Sequence, residues 1–259
     1  MQVIVDLLQL QGVRVTPALQ QDAGEFSVSI ASLLRADLLR STEDDVRGEI
    51  LYFEANVRRV LDIYRNSIVH YLATPSFMAR RLLSGPVGDD LRGELAEWLE
   101  IFYAEYYVPR GEVLAAHFDA FIDHFERLGW LERTDGQLCS TEKGAPHFAF
   151  LAEQTRGVVE VYYATFAAVS GFEGDLTGKV LVKAATAQFE RADLLGEVLR
   201  PESLNATTIA NAIALLERQG VLERALEAPK KGDVAYVRGP GFDDLPALRE
   251  RLAAALSAR

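Results

Sequence analysis

A chain of 259 residues that is 49% hydrophobic can bury a sizeable core, so a disordered chain is excluded and one or two domains are allowed. Its 27 basic and 38 acidic residues give a net charge of −11, which disfavours nucleic acid or an anionic bilayer as a partner for the surface as a whole. The single cysteine, Cys139, excludes an internal disulfide and thiolate-rich metal sites, and it suits a reducing, cytoplasmic setting.

The opening MQVIVDLLQLQG has neither a basic lead-in nor a small-residue cleavage site, and it reads as an interior segment, as in a truncated chain. No run of 18 apolar residues follows anywhere. Ile30, Leu33, Leu34 and Leu38 recur at helical spacing between Val28 and Leu39, and the polar turn in STEDDVRGEILYFEA leads to a small hairpin. Val57, Val60, Leu61, Tyr64, Ile68, Tyr71 and Leu72 predict one long amphipathic helix that stops near Pro75. A second runs from about Asp90 to Tyr107, begun by Asp89 and Asp90 and ended by Pro109, with Trp98, Leu99, Phe102 and Tyr106 as its buried stripe. A third spans Val113 to Leu128.

FIDHFERLGWLERTDGQLCSTEKG then predicts a helix stop at Gly129, a strand, a turn at Asp135-Gly136 and a returning strand. The same outline recurs between Ala206 and Gly239. Helices near Pro146–Val169 and Leu176–Ala192 lie between them, and another closes the chain over Leu245–Ala258. The fold class expected is mostly α: one helical, bundle-like unit over 1–259, with winged-helix-type hairpin subunits at about 28–54, 113–144 and 205–239. The turns at Ser84-Gly85-Pro86 and Gly239-Pro240-Gly241 are too short to be domain linkers.

Several polar groups are candidates for function. Tyr64, Arg65, Asn66 and His70 lie in LDIYRNSIVHYL, where an arginine fork could hold a phosphate or a partner carboxylate; helical pairing of Arg58, Asp62 and Arg65 is the simpler reading. Arg80, Arg81 and Arg92 make a basic cluster suited to phosphates, against which stands pairing with Asp89, Asp90 and Glu94. His117, Asp119, Asp123 and His124 have the ligand types for a metal but not the spacing, and core or surface histidines are favoured. Arg200-Pro201-Glu202-Ser203 reads as a helix stop, with Ser203 or Asn205 capping the next helix. Glycine patterns for nucleotide binding and a serine-hydrolase elbow are both missing from the sequence.

Three stretches together resemble the C-terminal region of bacterial glycerol-3-phosphate acyltransferases: LDIYRNSIVHYL, ATPSFMARRLL, and RADLLGEVLRPESLNATTIANAIALLERQGV at Arg191–Val221. The likeness covers about Ile50 to Leu222. Acyl transfer in that family rests on a histidine followed five positions later by an aspartate, which orients and charges the imidazole that deprotonates the glycerol hydroxyl. Five residues beyond His70, His117, His124 and His147 stand Pro75, Ile122, Gly129 and Ala152. The resemblance therefore implies a non-catalytic portion of the enzyme, bracing a catalytic domain supplied in cis or in trans at the cytoplasmic membrane face. It implies no catalytic residue, metal or cofactor in this chain, and it makes Tyr64, Arg65, Asn66, His70, Arg80, Arg81, Arg200, Pro201 and Glu202 family markers or domain contacts. The alternative is a winged-helix interaction or regulatory module. DNA is disfavoured as its partner, because Thr207–Gln219 carries Arg218 beside Glu217, although Lys230, Lys231 and Arg238 make the following wing basic.

Overall fold

The computed structural model describes residues 2–15, 23–46, 48–54, 56–58, 60–61, 66–88, 90–171, 176–225 and 234–257. Helices α1 (Gln2–Leu10) and α2 (Ala23–Arg35) are followed by the antiparallel hairpin β1 (Arg40–Asp44) and β2 (Gly48–Tyr52), as the sequence predicts for the α2 region. Both strands of this hairpin are exposed along nearly their whole length.

The amphipathic helix expected to stop near Pro75 is corrected by the structure. A turn at Ser67 and Ile68 precedes α3 (Val69–Leu83), which runs through Pro75 and buries Leu72 to Arg80 without a break. Proline has no N–H to donate to the carbonyl four residues back, and in a buried helix that loss is costly. Here the carbonyl of Tyr71 accepts instead from Gln11 Nε2 at 2.7 Å, and the same amide nitrogen donates to Leu7 O at 2.9 Å. A side chain 60 residues upstream completes the α3 ladder and fixes α1 against it.

Beyond α3 come α4 (Leu91–Ile101), shorter than the expected Asp90–Tyr107, and α5 (Gly111–Arg127). Strands β3 (Leu131–Thr134) and β4 (Gln137–Ser140) pair through a two-residue turn. Asp135 and Gly136 have φ of 52° and 80°, the left-handed pair that matches the twist of a tight hairpin and that glycine adopts without strain. The chain continues through α6 (Ala145–Ala152), α7 (Arg156–Ser170), β5 (Leu176–Thr177) and α8 (Gly178–Leu194). A 3₁₀ turn at Pro201–Ser203 leads to α9 (Ala206–Arg218), β6 (Leu222–Arg224), β7 (Ala235–Arg238) and α10 (Leu245–Ser257). Of the two expected caps of α9, Asn205 takes the role: its Oδ1 accepts from Thr208 N at 2.8 Å.

One order of elements occurs twice. After α3, Val87 bridges to Leu138 in β4, and α4, α5, β3 and β4 follow. After α7, β5 pairs with β7, and α8, α9, β6 and β7 follow. In both, a short strand before the second helix pairs with the last strand of the hairpin, giving the spatial order β5-β7-β6 in the second copy. The two halves share a core. Phe77, Trp98 and Phe102 stack nearly parallel, and Tyr162 of α7 leans on Phe102 with ring centroids 4.8 Å apart. A second aromatic group joins Phe125, Trp130 and Phe148 under the β3–β4 hairpin.

Candidate functional site

The marker residues of the sequence lead to a buried lattice of arginines and glutamates at the start of α7. Glu153, Arg156 and Glu160 stand three and four residues apart, so they share one face of the helix and its entry. Arg156 Nε donates to Glu160 Oε1 at 2.9 Å, and its Nη1 donates to Glu153 Oε1 at 3.0 Å. Glu160 also accepts the backbone N–H groups of Leu199 at 3.0 Å and Arg200 at 3.1 Å. Arg200 Nη2 returns to Glu153 Oε2 at 3.4 Å. The buried Glu160 carboxylate, fed by two amides and the Arg156 guanidinium, is satisfied where an unpaired charge would be expensive, and Glu153 and Arg200 complete the lattice at its partly exposed edge.

This explains why the Arg200-Pro201-Glu202-Ser203 segment sits where it does. Ser203 Oγ reaches Arg200 O and Gly157 O, and a Cβ on Gly157 would lie 2.6 Å from Ser203 Cβ, so only glycine lets the segment approach α7 this closely. The exposed Pro201 starts the 3₁₀ turn. Glu202 is nearly buried and faces Arg58 Nε at 3.0 Å, which joins the segment to the chain ahead of α3.

The same lattice receives the last helix. Arg80 Nη1 donates to Ala255 O at 2.6 Å and Arg156 Nη2 to Leu256 O at 3.1 Å, so two guanidinium groups cap the C-terminal carbonyls of α10, where the helix dipole favours positive charge. Arg80 Nη2 donates to Ala152 O as well. Arg80 is only 3% exposed, and burial together with the neighbouring Arg156 charge brings its guanidinium down to about 10. It stays cationic near neutral pH, yet carbonyls rather than a carboxylate hold its two Nη groups, and its Nε has no hydrogen-bond partner among the described residues.

Arg80, Arg81 and Arg92 do not form the basic cluster considered from the sequence. Arg81 pairs with Glu94 at 2.5 Å, as the pairing alternative held, whereas Arg92 pairs with Asp119 of α5 rather than with a neighbour in its own turn. Between α3, α4 and α10 lies a cleft of about 400 Å³. Phe77, Trp98, Ala254 and Ala255 give it apolar walls, and Arg80 and Arg251 lie on it.

The remaining candidates are dispersed. Tyr64 and Arg65 lie outside the described residues. Asn66 immediately precedes the turn before α3, and His70 is in the first turn of that helix with its ring 4.0 Å from Tyr71. His117 and His124 join no metal-binding group among the described residues. His124 Nε2 comes within 3.6 Å of Asp6 Oδ2, beyond hydrogen-bond reach, and burial holds this imidazole below its ordinary pKa despite the opposing pull of Asp6. Sequence spacing gave no hint of this pair, because α1 and α5 meet only in the fold.

Glu105 ties the two halves together. It accepts from Tyr162 Oη at 3.1 Å, Asn211 Nδ2 at 3.0 Å and Thr208 Oγ1 at 3.4 Å. Burial and the adjacent carboxylate keep the Tyr162 phenol protonated. These groups brace the segment that follows α4 against α7 and α9.

The fold is thus a mostly helical scaffold in which the marker segment is tied to α7 through Glu153, Arg156 and Glu160. The family described as the glycerol-3-phosphate acyltransferase C-terminal region matches residues 1–225, and the chain belongs to it. Helix α10, capped by Arg80 and Arg156, lies beyond the matched residues. The chain is similar to the glycerol-3-phosphate acyltransferase of Pseudomonas entomophila (strain L48), 24% identical over 224 residues, which is 84% of this chain and 27% of that protein. It is similar to the enzymes of the same name from Pseudomonas putida, 23% identical over 78% of this chain and 25% of the relative, and Pseudomonas fluorescens, 22% identical over 84% and 27%. The chain thus spans about a quarter of the length of the curated relatives it matches.

Proposed function

We propose that this chain is the non-catalytic C-terminal part of a glycerol-3-phosphate 1-O-acyltransferase of phospholipid synthesis, and that it braces an acyltransferase domain held at the cytoplasmic membrane face. The family match supplies the parent activity. The observation that carries the bracing role is the β1–β2 hairpin, which is exposed on both faces and carries the consecutive exposed apolar side chains Leu51, Tyr52 and Phe53 at its end. An isolated two-stranded hairpin is marginal in water, and clustered apolar exposure marks a surface meant to be covered. No described helix is long and apolar enough to cross a membrane.

The test is acyl transfer from an acyl thioester to glycerol 3-phosphate, assayed with this chain alone and with a separately expressed catalytic domain of the family added. Activity only in the mixture is expected. Turnover by the chain alone would overturn the reading.

The recurring order of helix, strand, two helices and hairpin favours a second reading, tandem winged-helix units serving as a protein-interaction module. Helix α9 stands where such a unit would read DNA, but its one arginine, Arg218, lies 5.9 Å from the Tyr103 ring, and Glu217 pairs with Arg224. A flat titration of a labelled duplex at low salt, together with silence in both acyl-transfer assays, is what this reading expects.

A further inference from the structure

We infer that the cleft between α3, α4 and α10 is a binding site for an amphipathic anion, a carboxylate on an aliphatic chain, with the head against Arg80 and the tail along Phe77 and Trp98. This goes beyond the acyltransferase reading and does not depend on it. Three observations converge. The cleft, about 400 Å³, lies within the usual range for small-molecule sites of roughly 300–1,000 Å³. Its walls are apolar where α3, α4 and α10 meet, at Phe77, Trp98, Ala254 and Ala255.

The third observation is charge. Arg80 is 3% exposed, lies on the cleft, and keeps an Nε without a hydrogen-bond partner among the described residues. Behind it, Arg156 pairs with Glu153 and Glu160 and Arg200 with Glu153, whereas the Nη groups of Arg80 are held by the carbonyls of Ala255 and Ala152. The nearly buried positive charge of Arg80 therefore has no carboxylate partner among the described residues. The other charges on the cleft are already matched: Arg81 with Glu94 at 2.5 Å and Arg251 with Glu97 at 2.7 Å. A monoanionic head would supply the missing countercharge, whereas a dianion would over-neutralise it and meet Glu94 and Glu97. The guanidinium of Arg251 stands 5.0 Å from the Trp98 ring centroid, so the polar rim and apolar wall are held together by one stacked side chain.

Calorimetric titration of the full chain with octanoate, 1-octanol and inorganic phosphate tests the site. Saturable 1:1 binding of octanoate is expected, with octanol and phosphate each at least tenfold weaker, since one lacks the charge and the other the tail. Arg80→Met should erase the preference for octanoate over octanol, but it also removes a cap of α10 and risks the fold. Ala254→Leu avoids that risk, because Ala254 is exposed on α10 and faces the cleft; it should weaken octanoate at least tenfold with an unchanged thermal transition. Absence of saturable octanoate binding, equal binding of octanoate and octanol, phosphate as tight as octanoate, or undiminished binding by folded Ala254→Leu would each overturn the inference.

Discussion

Pro75 and Gln11 act as one unit, although only the first is conspicuous in the sequence. Removing the amide by Gln11→Ala leaves the partly buried Tyr71 carbonyl without its donor, which should cost about 1 kcal/mol by denaturant unfolding. In a Pro75→Ala background the alanine N–H can take over that carbonyl, so the cost of Gln11→Ala should shrink; equal costs in the two backgrounds would refute the coupling. His124 makes a different kind of contribution. Its folded-state pKa is lowered by burial, further by Arg127, and partly restored by Asp6, so the unfolded chain binds the proton more readily. Stability should therefore be full above the ordinary imidazole value of about 6.5 and fall as pH drops below it. His124→Leu should flatten this part of the pH–stability curve, while His117, also lowered by burial, leaves a residual slope.

The 3₁₀ turn at Pro201–Ser203 has little internal hydrogen bonding and owes its position to α7. Gly157→Ala would force a methyl to 2.6 Å from Ser203 Cβ, and the turn must retreat; a loss of about 1–3 kcal/mol is expected, read by thermal unfolding. Glu160→Ala removes the acceptor of two backbone amides and a partner of buried Arg156, and should cost about 3–5 kcal/mol. Faster proteolysis at Arg200 in this variant would show that the turn is released before the rest of the fold. The same lattice joins α10 to α3 and α7, so it couples the last helix to two central helices of the core.

Across the whole molecule, the node at Glu105 fastens the two copies of the repeated order to each other and the lattice around Glu160 ties the Leu199–Arg200 segment to α7, while the β1–β2 hairpin pairs within itself. The exposed residues Leu51 and Phe53 are therefore free to change without disturbing the core. Leu51→Glu with Phe53→Glu should leave the unfolding free energy within about 0.5 kcal/mol, as expected for exposed positions. The same pair should weaken association with a separately supplied catalytic domain at least tenfold in sedimentation or pull-down assays. Undiminished association would remove this hairpin from the docking surface.

What the sequence determined by itself is local chemistry. Apolar spacing located most helices, Asp135-Gly136 specified its turn because few residues tolerate left-handed φ, and Asn205 capped α9 because its side chain reaches an amide three residues on. Family membership was legible too, in the YRN, ATPSFMARR and LRPES stretches. The passage of α3 through Pro75, the burial of Arg80 and the role of Glu160 were not, since each depends on partners 39 to 175 residues away. Glu153, Arg156 and Glu160 show helical charge spacing in the sequence, but that pattern is the same on a solvated face. Only tertiary packing decided that Arg156 and Glu160 lie inside, where low polarisability turns an ordinary ion pair into a fixed link between distant segments.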